Sequence, residues 1–155
     1  MFKFFRRQGG HPDTPLGTCR LFAGLSDRDM QIVLGFLHFR TYQAGEVIFD
    51  EGEDGQALYI LVSGQVNINR QGREDALLAR LEPGAFFGEM ALLDDAPRAA
   101  QARAVSPVEV AVLFRGDFLN LMDDHARIAS RISLQLARQL GDRLRRMIAA
   151  AGERT

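Results

Sequence analysis

A chain of 155 residues with 46% apolar and 25% charged side chains can build one ordinary domain with a full core, with little left for a second. Its formal net charge of -1 supplies no global positive field for nucleic acid or an acidic membrane, and no apolar run approaches the roughly 20 residues that span a bilayer. The single cysteine, Cys19, excludes an internal disulfide and a thiolate cluster, so a reducing, cytoplasmic setting is expected.

The start, Met1-Phe2-Lys3-Phe4-Phe5-Arg6-Arg7, lacks the apolar core and small-residue cleavage site of a signal peptide. Its aromatic and basic residues suit a membrane surface, but seven residues anchor weakly, and a frayed tail without membrane contact is the expectation. Residues 8–18 hold three Gly and two Pro and read as linker, which gives a flexible tail over 1–18 and a domain over 19–155. Order is expected from Leu21-Phe22. Ser26-Asp27-Arg28-Asp29 predicts a capped helix start, followed by Met30, Val33, Leu34 and Leu37 at helical spacing.

The period then changes to two. Short β-type runs are expected at Val47–Phe49, Ala57–Val62, Val66–Ile68, Ala76–Leu81, Gln101–Val105 and Val108–Phe114, punctuated by glycines at 45, 52, 55, 64, 72 and 84. That pattern predicts an antiparallel sandwich or barrel over about 40–115. Helical spacing returns after Gly116, with Asp117 as the expected cap of a short helix carrying Phe118, Leu119, Leu121 and Met122. Asp123-Asp124-His125 should interrupt it. A longer helix follows, with Ile128, Ile132, Leu136, Leu140, Leu144 and Ile148 in one four-residue row.

One stretch, residues 83–100, interrupts the β pattern and carries chemistry. Met90–Leu93 forms a compact apolar helix former, and Gly88 before it admits a closely approaching backbone or ligand. Arg98 adds a planar fork able to hold two phosphate oxygens. Glu89 is the odd member, since a carboxylate repels phosphate. It fits a ligand that presents a hydroxyl beside its phosphate. In a 3′,5′-cyclic nucleotide the ring consumes both of those oxygens and leaves the 2′-hydroxyl as the free ribose donor. A carboxylate for that donor and an arginine for the single negative charge are the minimum complement. The competing reading is a structural Glu89–Arg98 salt bridge, the ordinary outcome for a pair chosen blindly.

The string Phe87-Gly88-Glu89-Met90-Ala91-Leu92-Leu93, with Pro97-Arg98-Ala99-Ala100, resembles the phosphate-binding cassette of cyclic nucleotide-binding domains. That family includes protein kinase A regulatory subunits, cyclic-nucleotide-gated channels and bacterial catabolite activator proteins. The similarity runs from about Leu21 to Met147. It implies a mainly β fold with flanking α: a jelly-roll-like antiparallel β-roll, an N-terminal helix, a short cassette helix and C-terminal lid helices over about 117–150. It also implies that Phe87 through Ala91 shape the ribose site, with Gly88 and Glu89 as the contacts. Arg98 would meet the cyclic phosphate, with the N–H groups of Ala99 and Ala100. Val62 or Leu61 would pack on the base, core packing being the equal alternative for each.

Family members that favour cGMP often carry Thr just after the arginine; Ala99 stands there, which favours cAMP over cGMP. The last helix of the family supplies a lid, and alignment places Arg143 near the base-contacting position, where a hydroxyl residue usually sits. A solvated arginine is the plain alternative. Transcription factors of the family continue into a helix-turn-helix domain, and Thr155 lies only 11 residues beyond Leu144, so DNA binding by this chain is not expected. The expected partners are a cyclic nucleotide, an effector protein of unknown identity, and a second copy through the C-terminal helix.

Two rival classes stand beside the receptor. A phosphodiesterase needs a metal or activated water, and His11, His38 and His125 are scattered with no nucleophile to join them, so neither catalytic residues nor a metal are expected. The second rival is an interaction or dimerisation module with a vestigial nucleotide site. There the long helix does the work, weakened near its middle by Gly141 at about 1 kcal/mol relative to Ala.

Overall fold

The computed structural model describes residues 14–70 and 77–153. Order begins earlier than Leu21. Helix α1 (Pro15–Thr18) opens with Pro in its first turn, and the Thr14 side chain accepts from the Gly17 N–H at 3.2 Å. Leu16, Cys19, Leu21 and Phe22 are all buried, so the end of the expected linker is part of the core. Residues 1–13, to which most of the tail reading applies, lie outside the described residues.

Helix α2 (Asp27–Leu34) starts as the sequence predicts. Ser26 accepts from the Asp29 N–H at 3.1 Å, and Asp29 accepts from the Ser26 N–H at 3.2 Å, a reciprocal capping box. Leu37 falls beyond the helix end yet remains in the core at 5% exposure.

Eight strands follow: β1 (His38–Tyr42), β2 (Val47–Phe49), β3 (Ala57–Ser63), β4 (Val66–Asn69), β5 (Leu77–Leu81), β6 (Phe86–Phe87), β7 (Gln101–Ala104) and β8 (Val108–Phe114). They form two four-stranded antiparallel sheets, ordered β1-β8-β3-β6 and β2-β7-β4-β5, which is the expected β-roll. Strand β1 has no counterpart in the sequence reading, because His38-Phe39-Arg40-Thr41-Tyr42 is half polar on both faces. Its pairing with β8, His38 opposite Val112 through Tyr42 opposite Val108, makes it a strand. Ala76 and the expected turn at Gln71-Gly72 lie outside the described residues.

The central strands β3 and β8 are buried on both faces, which explains their unbroken apolar runs. Strand alternation divides them between two cores. Leu58, Ile60, Val62, Ala111 and Leu113 face the helices, together with Phe22, Val33, Phe118, Ile132 and Leu136. Ala57, Tyr59, Leu61, Val108, Val110 and Val112 face the interior of the roll, with Phe49 and Phe87.

Helix α3 (Arg115–Asp124) begins two residues before the expected cap. Asp117 therefore sits inside the first turn and makes no side-chain cap; it faces His38 Nε2 at 3.0 Å. Helix α4 (Ala126–Gly152) follows after His125. Of its apolar row, Ile128, Ile132 and Leu136 are buried, whereas Leu144 and Ile148 are 57% and 62% exposed. Among the described residues no helix is long and apolar enough to cross a membrane.

Candidate functional site

The site is built on the connection between β6 and β7. Phe86 and Phe87 pair with Ile60 and Tyr59 of β3, which fixes where the connection leaves the sheet. Gly88 then turns the chain with φ of +71°, a left-handed conformation that side-chain-bearing residues seldom take. A Cβ at Gly88 would lie 2.6 Å from Nη1 of Arg98, so glycine serves both the turn and the close approach. The expected short helix is a 3-10 turn over Glu89–Leu92, one residue earlier than the sequence suggests. Ala91 and Leu92 are buried, while Met90 is 47% exposed.

Arg98 is drawn in under this turn. Its Nη1 donates to Gly88 O at 2.9 Å and its Nη2 to Ala57 O at 2.8 Å. The guanidinium lies 4.1 Å from the Phe49 ring centroid and 5.7 Å from that of Tyr59. Phe87 stacks on Tyr59 at 5.4 Å, and both rings pack against Phe49, so three aromatic rings lie together beside the guanidinium. The Arg98 backbone is pinned as well: its N–H donates to Glu53 O and its C=O accepts from the Gly52 N–H, each at 2.8 Å. Gly55 completes the seat, since a Cβ there would meet the Arg98 Cζ at 2.9 Å. Burial pulls the Arg98 guanidinium below its usual value, opposed by Tyr59, Glu53 and Glu89; arginine stays charged regardless.

Glu89 and Arg98 do not pair with each other, and the simple salt-bridge reading fails. Glu89 is 2% exposed. Its Oε1 lies 2.6 Å from Nη2 of Arg143, an ion pair that reaches the buried carboxylate from α4. Nε of Arg98 is a buried donor with no partner. A buried cation with an open donor and a buried carboxylate thus stand at the two ends of one connection, 89 to 98, and an unpartnered buried donor of this kind is rare in native proteins.

Ala99 is exposed and Ala100 half-buried, in a bend that leaves both N–H groups without a hydrogen bond among the described residues. Val62 packs among the helix-facing core residues, the core alternative that the sequence left open for it, while Leu61 faces the interior of the roll with Tyr59. Arg143 reaches the Glu89 carboxylate from α4, a contact the sequence did not anticipate.

Sequence reasoning missed Phe49, Tyr59, Gly55 and Ala57, which come from β2, β3 and the loop between them. It also missed Arg115. From the first position of α3, Arg115 donates to Ala91 O and Gly55 O at 2.7 Å each and to Asp94 O at 3.0 Å, and it pairs with Asp95. The cassette is thereby tied directly to the helical region. A basic residue at a strand-to-helix junction was the available signal, and it resembles any surface arginine.

The structure is a two-sheet β-roll flanked by helices, with a glycine-turned connection between β6 and β7 folded over a buried arginine. The model of the cyclic nucleotide-binding domain matches residues 39–125, and the chain belongs to that family. It is 41% identical over 122 residues to the cyclic AMP receptor protein of Thermus thermophilus, covering 77% of this chain and 56% of that protein. It is 42% identical over 90 residues to a cAMP-dependent protein kinase regulatory subunit of Emericella nidulans, covering 58% of this chain and 22% of that one. The crystal structure of the Thermus thermophilus catabolite activator protein superposes with a TM-score of 0.78 at 38% identity, covering 86% of this chain and 62% of the other. The chain thus spans little more than half of the first relative and about a fifth of the second.

Proposed function

We propose that the chain is a receptor for a 3′,5′-cyclic nucleotide, cAMP in preference to cGMP, that reports occupancy to a partner protein through its C-terminal helices. The observation that carries this reading is Nε of Arg98, a buried donor with no hydrogen-bond partner, on the same connection as the buried carboxylate of Glu89. A cyclic phosphodiester accepts from the first and a ribose 2′-hydroxyl donates to the second. The open N–H groups of Ala99 and Ala100 add donors for the phosphate, and Phe87, Gly88, Met90 and Ala91 set the turn that carries Glu89. The names of the relatives, a cyclic AMP receptor and a cAMP-dependent regulatory subunit, support the adenine preference.

Nucleotide shifts the helices only by its difference in affinity between their arrangements. Arg115 offers the route, because one guanidinium holds both the cassette and the start of α3. The deciding experiment is calorimetry with cAMP, cGMP and the linear 5′-monophosphate side by side. Saturable heat with the cyclic ligands and little with the linear one is expected; no heat with any of them removes the reading. Ala99→Thr places a hydroxyl where it can meet a guanine amino group. It is expected to improve cGMP relative to cAMP, and an unchanged ratio would place base choice elsewhere.

A second role has its own observation. Leu144, Met147 and Ile148 form an exposed apolar stripe on α4, suited to pairing with a second copy or docking on the effector. A dimeric mass by light scattering supports the former.

A further inference from the structure

The net charge of -1 conceals a polarised surface. Helix α4 carries Arg127, Arg131, Arg138, Arg143, Arg145 and Arg146 against a single acid, Asp142. Helix α3 carries Asp117, Asp123 and Asp124 against a single base, Arg115, which is already engaged with Asp95 and three backbone carbonyls. The cassette adds Asp94 and Asp95, both exposed. Asp123 and Asp124 stand at the C-terminal end of α3, where the helix dipole disfavours an acid, so the helix itself gains nothing from them.

Both regions also expose apolar side chains. On α4, Leu144, Met147 and Ile148 follow one face at helical spacing, and Arg138 and Arg145, seven residues apart, flank it. Arg145 also pairs with Asp142 from within the helix. On α3, Leu119 and Met122 are 50% and 45% exposed, while Phe118 and Leu121 beside them are buried. They lie four and seven residues after Arg115, hence on the side of the helix that arginine occupies. Arg115 holds the cassette there, the 3-10 turn packs against α3, and Met90 and Leu93 of that connection are exposed. Large apolar side chains with acids at their edge thus gather where α3 meets the cassette, two of them methionines, which adapt to a partner's shape.

We infer that this acidic, apolar face is the docking surface for the outer half of α4 from a second copy of the chain. Charge complementarity makes the choice. Two α4 helices laid against each other would set arginine against arginine, a like-charge arrangement that opposes association. The face on α3 and the cassette instead offers apolar partners at the centre and opposite charge at the rim. Each copy has one such helix and one such face, so two equivalent contacts about a two-fold axis close a dimer. This names the counterpart of the α4 stripe, and it does not depend on nucleotide binding.

Sedimentation of the full chain without nucleotide tests it. Wild type should be dimeric at low ionic strength, with a dissociation constant that rises about tenfold or more as salt goes from roughly 0.05 to 0.5 M. Asp123→Arg with Asp124→Arg reverses the face, and Arg138→Glu with Arg145→Glu reverses the helix; each double variant should sediment as a monomer. Mixing the two should restore a dimer, because both contacts in the mixed species again join opposite charges. Asp123→Asn with Asp124→Asn, which removes charge without reversing it, should weaken association by a smaller factor. A wild type that stays monomeric overturns the proposal. So does a dimer indifferent to the α3 reversal, which is the mark of paired α4 helices. Variants that circular dichroism shows to be folded but that do not recover on mixing overturn it as well.

Discussion

Replacing Arg98 by leucine is expected to cost about 2–5 kcal/mol of cyclic-nucleotide affinity, a loss of roughly 30- to 5,000-fold. The estimate is the scale for removing one partner of a desolvated charge pair, and Arg98 is 9% exposed. The same guanidinium bonds Gly88 O and Ala57 O, so the substitution also strips two interior carbonyls of their donors. A lower melting temperature should accompany the lost affinity. Titration well below that temperature separates the two effects. Arg98→Lys, which keeps the charge without the planar fork, should fall between the leucine variant and wild type. A folded Arg98→Leu protein that binds as tightly as wild type would place the anion seat elsewhere.

The second large effect is on stability alone. Gly64 closes the turn between β3 and β4 with φ of +85°, and a Cβ there would lie 2.3 Å from Pro107 O and 2.7 Å from Cγ1 of Val108. Neither neighbour is the free end of a flexible side chain. Gly64→Ala therefore combines a left-handed residue with a backbone clash, and is expected to cost about 2–4 kcal/mol of folding stability. Chemical denaturation reads the loss as a lower midpoint. Nucleotide affinity of the folded fraction should not change, because Gly64 lies outside the cassette. Stability equal to wild type would mean that the 63–66 turn adopts another conformation.

The parts of the site legible in the sequence are those contiguous in the chain. Gly88, Glu89 and Arg98 lie within eleven positions, and their chemistry can be reasoned about together before any fold is known. The aromatic cluster could not be found that way. Phe49 and Tyr59 belong to β2 and β3, and only the sheet pairing brings them beneath Arg98. The run Ala57–Val62 shows a different limit. Unbroken apolarity does not announce which residues face which core, so Val62 and Leu61 stood as equal alternatives, and a shift of one position moves a side chain from one core to the other. Asp117 and β1 failed for a third reason: capping and strand formation there are decided by tertiary partners, His38 for the one and β8 for the other.

Charge contacts lay beyond the sequence reading as well. The family alignment singles out Arg143 for a lid position, but nothing in the sequence pairs it with Glu89. The fold selects it by placing its turn of α4 above Glu89. Arg115 is chosen in the same way, by the approach of the cassette to the end of β8.

The two-faced burial of β3 and β8 has a further consequence. The partition between the interior of the roll and the core that anchors the C-terminal helices is a single sheet thick. Tyr59, which carries the guanidinium, and Leu58 and Ile60, which seat against the helical side, are consecutive residues of one backbone. Neither lining can be redrawn alone. Inserting one residue early in β3 would exchange them, turning Leu58 and Ile60 toward the interior of the roll and the Tyr59 ring toward the helices, so the register of this strand sets both the seat of Arg98 and the footing of the helices.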